Sequence, residues 1–300
     1  MKNIQSNLFR FFLASSTILT VAITIFFVGF IFYIAFPVFK SQGLYFLYGD
    51  VWSYSENIFG IRNFIAGTFA VTAVTMILAL PVSLFTAIFL AEYSPRIVVT
   101  FLRPMIELLV GIPSVVYGIF GLFVLEDIFE HVIDPFLSSH LGFIPLFIDY
   151  GFDGRSVLLA STVLAIMILP TIISISEDSL RSVPYPYKEA SFALGANHWQ
   201  TIKNVVIPAA FKGITLGAVL GMMRAMGETM AIVMLLGNIP HSPQGVLDVG
   251  YAMTSKILND ITYHLVDDTS RSALFGIAAV LFLIEIILVV IARKIGGKAA

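Results

Sequence analysis

The chain contains no cysteine. Disulfide frameworks, thiol nucleophiles and thiolate metal sites are thereby excluded. It is also poor in charge: 12% of its 300 residues are Asp, Glu, Lys or Arg, against 58% hydrophobic. A soluble domain of this length cannot bury so large an apolar share, and a mean hydropathy of +0.93 points the same way. No glycine-rich phosphate loop with its lysine occurs, so the chain is not expected to hydrolyse ATP. The histidines (His131, His140, His198, His241 and His264) fall between the apolar runs, and no pair has metal-ligand spacing on a shared helix face. They are expected to be solvated loop residues, and no metal or cofactor is expected on this chain. No nucleophile–base constellation supports an enzyme. Internal repeats and the alternating strands of a membrane barrel are absent.

What is present is a series of apolar runs of about 20 residues, long enough to cross the hydrocarbon core. They lie at Phe11 to Phe36, Phe64 to Leu90, Pro104 to Leu125, Ser156 to Ser176, Ile214 to Gly237 and Ser272 to Ala292. Backbone satisfaction in lipid makes each a helix, so the expected fold class is an all-α membrane protein with about six transmembrane helices. The first run follows Lys2 and Arg10 like a signal peptide. It is too long for one and no small-x-small cleavage site follows it, so it reads as a retained anchor.

Basic residues set the orientation. With the N-terminus in the cytoplasm, inner segments carry Lys2, Arg10, Arg96, Arg103, Arg181, Lys188, Lys203, Lys212, Arg293, Lys294 and Lys298. Outer segments carry only Lys40, Arg62, Arg155, Lys256 and Arg271, and are otherwise acidic. Both termini are expected in the cytoplasm. The outer segments Glu126 to Arg155 and Ile239 to Arg271 read as partly ordered surface loops.

The inner segment 177–212 is long, which suggests docking. Pro184 and Pro186 close off the preceding helix, and Tyr187 to Leu194 can form a short helix. Gly195 permits the sharp turn out of it. Asn197 can cap a second short helix, ending before Pro208. The pair would lie under the membrane and present Phe192, Leu194, Trp199 and Ile202 near Lys188, Glu189, His198 and Lys203. The spacing Glu189-Ala190-Ser191, Gly195, Val205, Ile207, Pro208 resembles the EAA loop, E-A-A-x3-G-x9-I-x-L-P, of bacterial ABC importer permeases. Ser stands for the second Ala, Val for Ile and Ile for Leu. The resemblance implies that Glu189, Ala190, Ser191, Gly195 and Pro208 belong to a coupling helix seated in a groove of a cytosolic ATPase subunit.

The fifth run carries a stripe of small residues. At about 100° per residue, Gly213, Gly217, Gly221 and Ala225 follow one line, and Arg224 and Glu228 fall within it. Small stripes mark close helix packing, so both charges are expected to face protein or a pore. Either they form an i,i+4 ion pair that neutralises itself, or Arg224 offers its donor fork to an oxyanion while Glu228 orients it. In the third run Glu107, Gly111, Ser114, Gly118 and Gly121 share a face, Pro113 should kink the helix, and Glu107 can pair with Arg103. Glu285 is given no role.

Two stretches, Gly111-Ile-Pro-Ser-Val-Val-Tyr-Gly-Ile-Phe-Gly121 and Arg224-Ala-Met-Gly-Glu-Thr-Met-Ala231, are most similar to the C-type subunit of phosphate-specific ABC importer permeases. Sulfate and molybdate permeases usually have Gly-Glu-Phe where this chain has Gly-Glu-Thr. The resemblance implies type I importer architecture: an anchor helix and first outer loop over 1–63, a permease core over 64–292 and a cytoplasmic tail over 293–300. It implies a prokaryotic inner-membrane location. It also implies an A-type permease paralogue as heterodimer partner, two copies of an ATPase that uses the ATP, and an external phosphate-binding protein. Arg224, Glu228, Thr229 and Glu107 are the candidate substrate-pathway residues. A permease for another oxyanion, or an ion-gradient transporter with Glu107, Arg224, Glu228 and Glu285 as relays, remains open at this point.

Overall fold

The computed structural model describes residues 2–297. Lys298 and the end of the predicted tail lie outside the described residues, as does the side chain of Lys2. The long helices are α1 (Lys2–Gln42), α2 (Arg62–Ile88), α3 (Arg96–Gly111) and α4 (Ser114–Leu141), followed by α5 (Val157–Arg181) and the short α6 (Tyr185–Ala193). They are followed by α7 (His198–Gly227), α8 (Met230–Leu235), α9 (Met253–His264) and α10 (Asp268–Gly297). Five of the described helices are long and apolar enough to cross a membrane, and counting the bent pair α3–α4 as one span gives six.

The chain divides into two compact units, residues up to 61 with 260–281, and 62–259 with 282 onward. In the first unit a two-stranded hairpin, β1 (Trp52–Ser53) and β2 (Ile58–Phe59), pairs Trp52 with Phe59 and Ser53 with Ile58. The Val38 N–H donates to Ser272 Oγ at 2.9 Å. Tyr54 donates its hydroxyl to Asp260, and its ring stacks on His264 at 3.6 Å.

In the second unit α5 is the hub. Ser156 caps its start, accepting the Leu159 N–H at 3.1 Å, and the bare helix end is thereby satisfied. Leu159, Leu164, Ile168 and Ile172 are buried among Val71 and Ala79 of α2 and Ala225 of α7. α2 approaches closely because its facing residues are small or hydroxylic. The Ser161 hydroxyl donates to Val71 O at 3.1 Å, and the Thr75 hydroxyl to Ser161 O at 3.4 Å. The glycine stripe of α7 packs on the other side of α5. A Cβ on Gly213 would meet Ser179 Oγ, and one on Gly221 would sit 2.6 Å from Ile172 Cγ1.

The structure departs from the simple pattern of six straight spans in four places. The third run is not one kinked helix: α3 and α4 meet at 91°. Pro113 drives Ile112 out of the helical region to φ −73°, ψ 125°, and Pro113 itself lacks the N–H that would continue the ladder. Glu107 and Gly111 therefore do not share a helix face with Ser114, Gly118 and Gly121. The fifth run is also interrupted. α7 ends at Gly227, Glu228 is extended at φ −67°, ψ 134°, and a separate α8 follows. The second helix of the inner loop does not stop before Pro208. It is the start of α7 and continues through a π turn at Ile202–Val206, where the Ile207 N–H reaches back to Ile202 O and the α-helical ladder is already broken when Pro208 arrives. Finally, much of the segment expected as an outer loop is helix. α4 continues to Leu141 through π turns at Gly121–Leu125 and Phe129–Ile133, and Arg155 returns to bond Glu126 at 2.8 Å.

Candidate functional site

The first candidate site is the turn between α6 and α7. Asn197 and Gln200 form a reciprocal capping box, each side chain bonding the other's backbone N–H at 2.9 Å. Gly195 sits at φ +83°, a left-handed conformation that β-branched residues resist. Ser191 bridges the two helices through Thr201, hydroxyl to hydroxyl at 2.9 Å. Glu189, Ala190 and Pro208 are exposed. Leu194 is 89% exposed and Trp199 half-exposed, and a shallow cavity of about 370 Å³ opens between Tyr187, Ala190, Leu194 and Val205. An exposed apolar patch of this kind fits a protein or a membrane surface.

The inner side of the same pair is tied to the bundle. Val183, Ile202, Val206 and Ala210 are buried with Ala87 and Ile88 of α2 and Leu180 of α5. Lys188 does not join the outer rim, as the sequence suggested. Its ammonium turns inward to both carboxylate oxygens of Glu92, at 2.7 and 2.9 Å, beyond the end of α2. Arg181 bonds Glu177 Oε1 and Leu90 O, each at 2.8 Å. Lys188 thus ties α6 to the stretch just past α2, and Arg181 ties α5 to the same stretch. Glu92 lies 96 residues from Lys188 in the chain, and no sequence signal joins the two.

The second candidate site is the end of α7. Arg224 lies on the packed stripe, half-buried, and its Nη1 donates to Thr171 Oγ1 of α5 at 3.0 Å. Because the helix stops at Gly227, Glu228 leaves the stripe. Its carboxylate accepts the Thr229 N–H at 3.2 Å, and its carbonyl accepts the Thr254 hydroxyl at 2.9 Å. Among the described residues no ion pair joins Arg224 to Glu228, so the self-neutralising pair is not formed. One of the guanidinium's five donors is anchored on Thr171 and the fork keeps capacity for an anion. Thr229 is half-buried, with its hydroxyl on Gly227 O at 3.4 Å.

The other residues singled out from the sequence are placed apart from this group. Arg103 bonds Glu107 at 3.3 Å and Asp178 at 2.9 Å, joining α3 to the end of α5. Glu285 of α10 lies near Gly227, 3.7 Å from where a Cβ would be. The histidines are less uniform than solvated loop residues would be. His131, His140, His198 and His264 sit on helical turns, and His241 holds the buried Asp248 carboxylate at 3.0 Å. The Gln244 and Val249 N–H groups complete that carboxylate's partners, at 2.9 and 2.8 Å. Asp248, expected as an outer-loop acid, is 1% exposed, and Lys256 lies over the rings of Phe64 and Tyr251. Among the described residues no three His, Cys, Asp or Glu side chains are grouped to hold a metal.

Residues 79–296 match the family described as binding-protein-dependent transport system inner membrane component. The phosphate transport system permease protein PstC of Xylella fastidiosa strain Temecula1 is 39% identical over 258 residues, 85% of this chain and 79% of that protein. The probable ABC transporter permease protein YqgH of Bacillus subtilis is 37% identical over 81% of this chain and 74% of its own length. The probable phosphate transport system permease protein PstC of Methanocaldococcus jannaschii is 31% identical over 88% and 84%. Among solved structures, a bacterial alginate ABC transporter in complex with its alginate-bound periplasmic protein aligns with a TM-score of 0.58 at 15% identity, over 96% of this chain and 95% of that one. The inward-facing MetNI methionine ABC transporter aligns with a TM-score of 0.54 at 16% identity, over 83% and 100%. At such identities the likeness concerns the fold.

Proposed function

Because the chain belongs to the family of binding-protein-dependent transport system inner membrane components, we propose that it is the C-type permease subunit of an ATP-driven phosphate importer. The observation that carries the substrate is the 39% identity to a phosphate transport permease across 85% of the chain. As a family member it is a multi-pass protein of the inner membrane. On this reading it shares the translocation pathway with an A-type paralogue, an external phosphate-binding protein delivers the ion, and a cytosolic ATPase dimer uses the ATP. The chain itself holds no cofactor.

The α6–α7 turn, with Glu189, Ala190, Ser191, Gly195 and Pro208, seats in the ATPase. Its tie through Lys188–Glu92 and its burial against α2 and α5 support this role, since motion of the turn would be felt by both helices. Arg224 meets the phosphate oxyanion with its charged fork. Thr229 and the displaced Glu228 line the pathway beside it, and Glu107 lines it nearer the cytoplasm. ATP-dependent uptake of labelled phosphate by the reconstituted complex, with sulfate and molybdate as competitors, tests the substrate. Stronger competition by sulfate or molybdate than by unlabelled phosphate would assign the chain to another oxyanion.

Both termini are cytoplasmic on this reading. A cysteine placed at exposed Ser139 should react with an impermeant thiol reagent in intact cells, and one at exposed Ser182 should not. The cysteine-free chain gives no background, and outside labelling at Ser182 would reverse the orientation.

A further inference from the structure

Within the second unit, α7 and the last turns of α10 enclose a groove of about 480 Å³ that the transport reading does not use. Leu216, Leu220 and Met223 line it from one face of α7, and Val289 lines it from α10. On each helix a cation stands at the same end of that face. Lys212 precedes Leu216 by one turn, and Arg293 follows Val289 by one turn. The helices run in opposite directions past the groove, so both cations lie toward the same end of it. Lys212 and Arg293 are exposed, and neither has an ion pair or hydrogen bond among the described residues. The Thr215 hydroxyl is already given to Phe211 O at 2.8 Å. Polar recognition at the mouth therefore falls to the two cations alone.

We propose that this groove binds an anionic phospholipid. One molecule of that class brings an apolar chain and a phosphate in the order in which the groove presents apolar wall and then cations. Basic mouths between membrane helices select phosphate headgroups in this way, and long cationic side chains reach the interface from just such positions. A protein helix in the same place would have to supply two carboxylates against Lys212 and Arg293, as well as an apolar face.

The test is native mass spectrometry of the full chain, released from phosphatidylcholine nanodiscs doped with cardiolipin or phosphatidylglycerol. The wild type is expected to retain an anionic lipid in preference to phosphatidylcholine. Lys212→Gln with Arg293→Gln should lower that preference about thirtyfold, from two basic contacts near a charged surface. The charge-matched control, Arg10→Gln with Lys40→Gln, should leave it within about twofold. Leu220→Trp fills the groove but keeps both cations, and it should lose the retained lipid as fully. All the altered side chains are exposed, so wild-type insertion and elution are expected. Unchanged preference in the double glutamine variant would overturn the proposal. So would full retention in Leu220→Trp, which would reduce the effect to surface charge. A chain–chain adduct that Leu220→Trp abolishes, with no lipid retained by the wild type, would show a protein occupant and overturn it equally. None of these readouts involves phosphate transport, so the transport reading stands or falls separately.

Discussion

Replacement of Arg224 by glutamine separates a substrate contact from a structural charge. Glutamine keeps hydrogen-bonding capacity on a shorter side chain but removes the charge. In the wild type, Nη1 is anchored on Thr171 Oγ1 at 3.0 Å and no ion pair to Glu228 is formed. If the remaining donors meet phosphate, each charge-assisted bond contributes about 1.5–3 kcal/mol, and loss of one lowers uptake roughly tenfold to a hundredfold. Breaking a buried ion pair would instead cost about 3–5 kcal/mol of stability, but Glu228 has left the stripe and its carboxylate is held by the Thr229 N–H. The yield of assembled complex should therefore stay near wild type in Arg224→Gln. Arg224→Lys should recover only part of the uptake, because a point charge replaces a fork. Thr171→Val removes the anchor and leaves the charge, so its loss should be about tenfold, the low end for one hydrogen bond to a charged group. The assay is uptake of labelled phosphate normalised to assembled complex. Uptake by Arg224→Gln within twofold of wild type refutes the anion contact. A collapse in yield that Glu228→Gln repairs refutes the separation of the two charges.

Three further outcomes follow from the packing and the turns. Gly221→Leu drives a side chain into Ile172 and should cost about 1–3 kcal/mol, read as a lower melting temperature of the purified chain, with partial recovery when Ile172→Ala opens the space. Gly195→Val forces a β-branched residue into φ +83° and should weaken co-purification of the ATPase while membrane insertion survives; normal co-purification would disprove docking at this turn. Asp267, ahead of α10, accepts the Ser270 N–H at 2.8 Å and the Ser270 hydroxyl at 2.6 Å, and these bonds hold its carboxyl below the usual range. A depressed folded-state pKa contributes stability that is present above the unfolded value and lost as pH falls through the folded one. Asp267→Ala should thus melt lower than wild type at neutral pH, and the gap should close as the pH drops below about 4.

The parts of the fold legible in the sequence are those set by local rules. Run length gives the spans, Asn197 and Gly195 give the inner turn, and the spacing of Gly213, Gly217 and Gly221 gives the packed face. The end of α7 was not legible. Nothing near Glu228 forbids a helix, and the Thr254 hydroxyl that takes its carbonyl lies 26 residues on. Pro113 announced a bend, but its size depends on what packs beyond it. Asp248 reads in the sequence as one more acid of an outer segment, because its partners, His241 and the N–H groups of Gln244 and Val249, form a pocket only once the segment folds back on α5, where Val157 N bonds Asp248 O at 2.8 Å.

The exposed Leu194 and Trp199 also bear on biogenesis. A chain inserted before its ATPase arrives has a large apolar side chain left uncovered by its own fold, backed by a half-exposed tryptophan. Surfaces of this kind are read by chaperones and membrane proteases, which remove unassembled protein. If the turn docks as proposed, the same few residues that transmit force in the finished machine should also time the removal of the orphan subunit. The cellular level of the chain should track the supply of its ATPase rather than its own rate of synthesis.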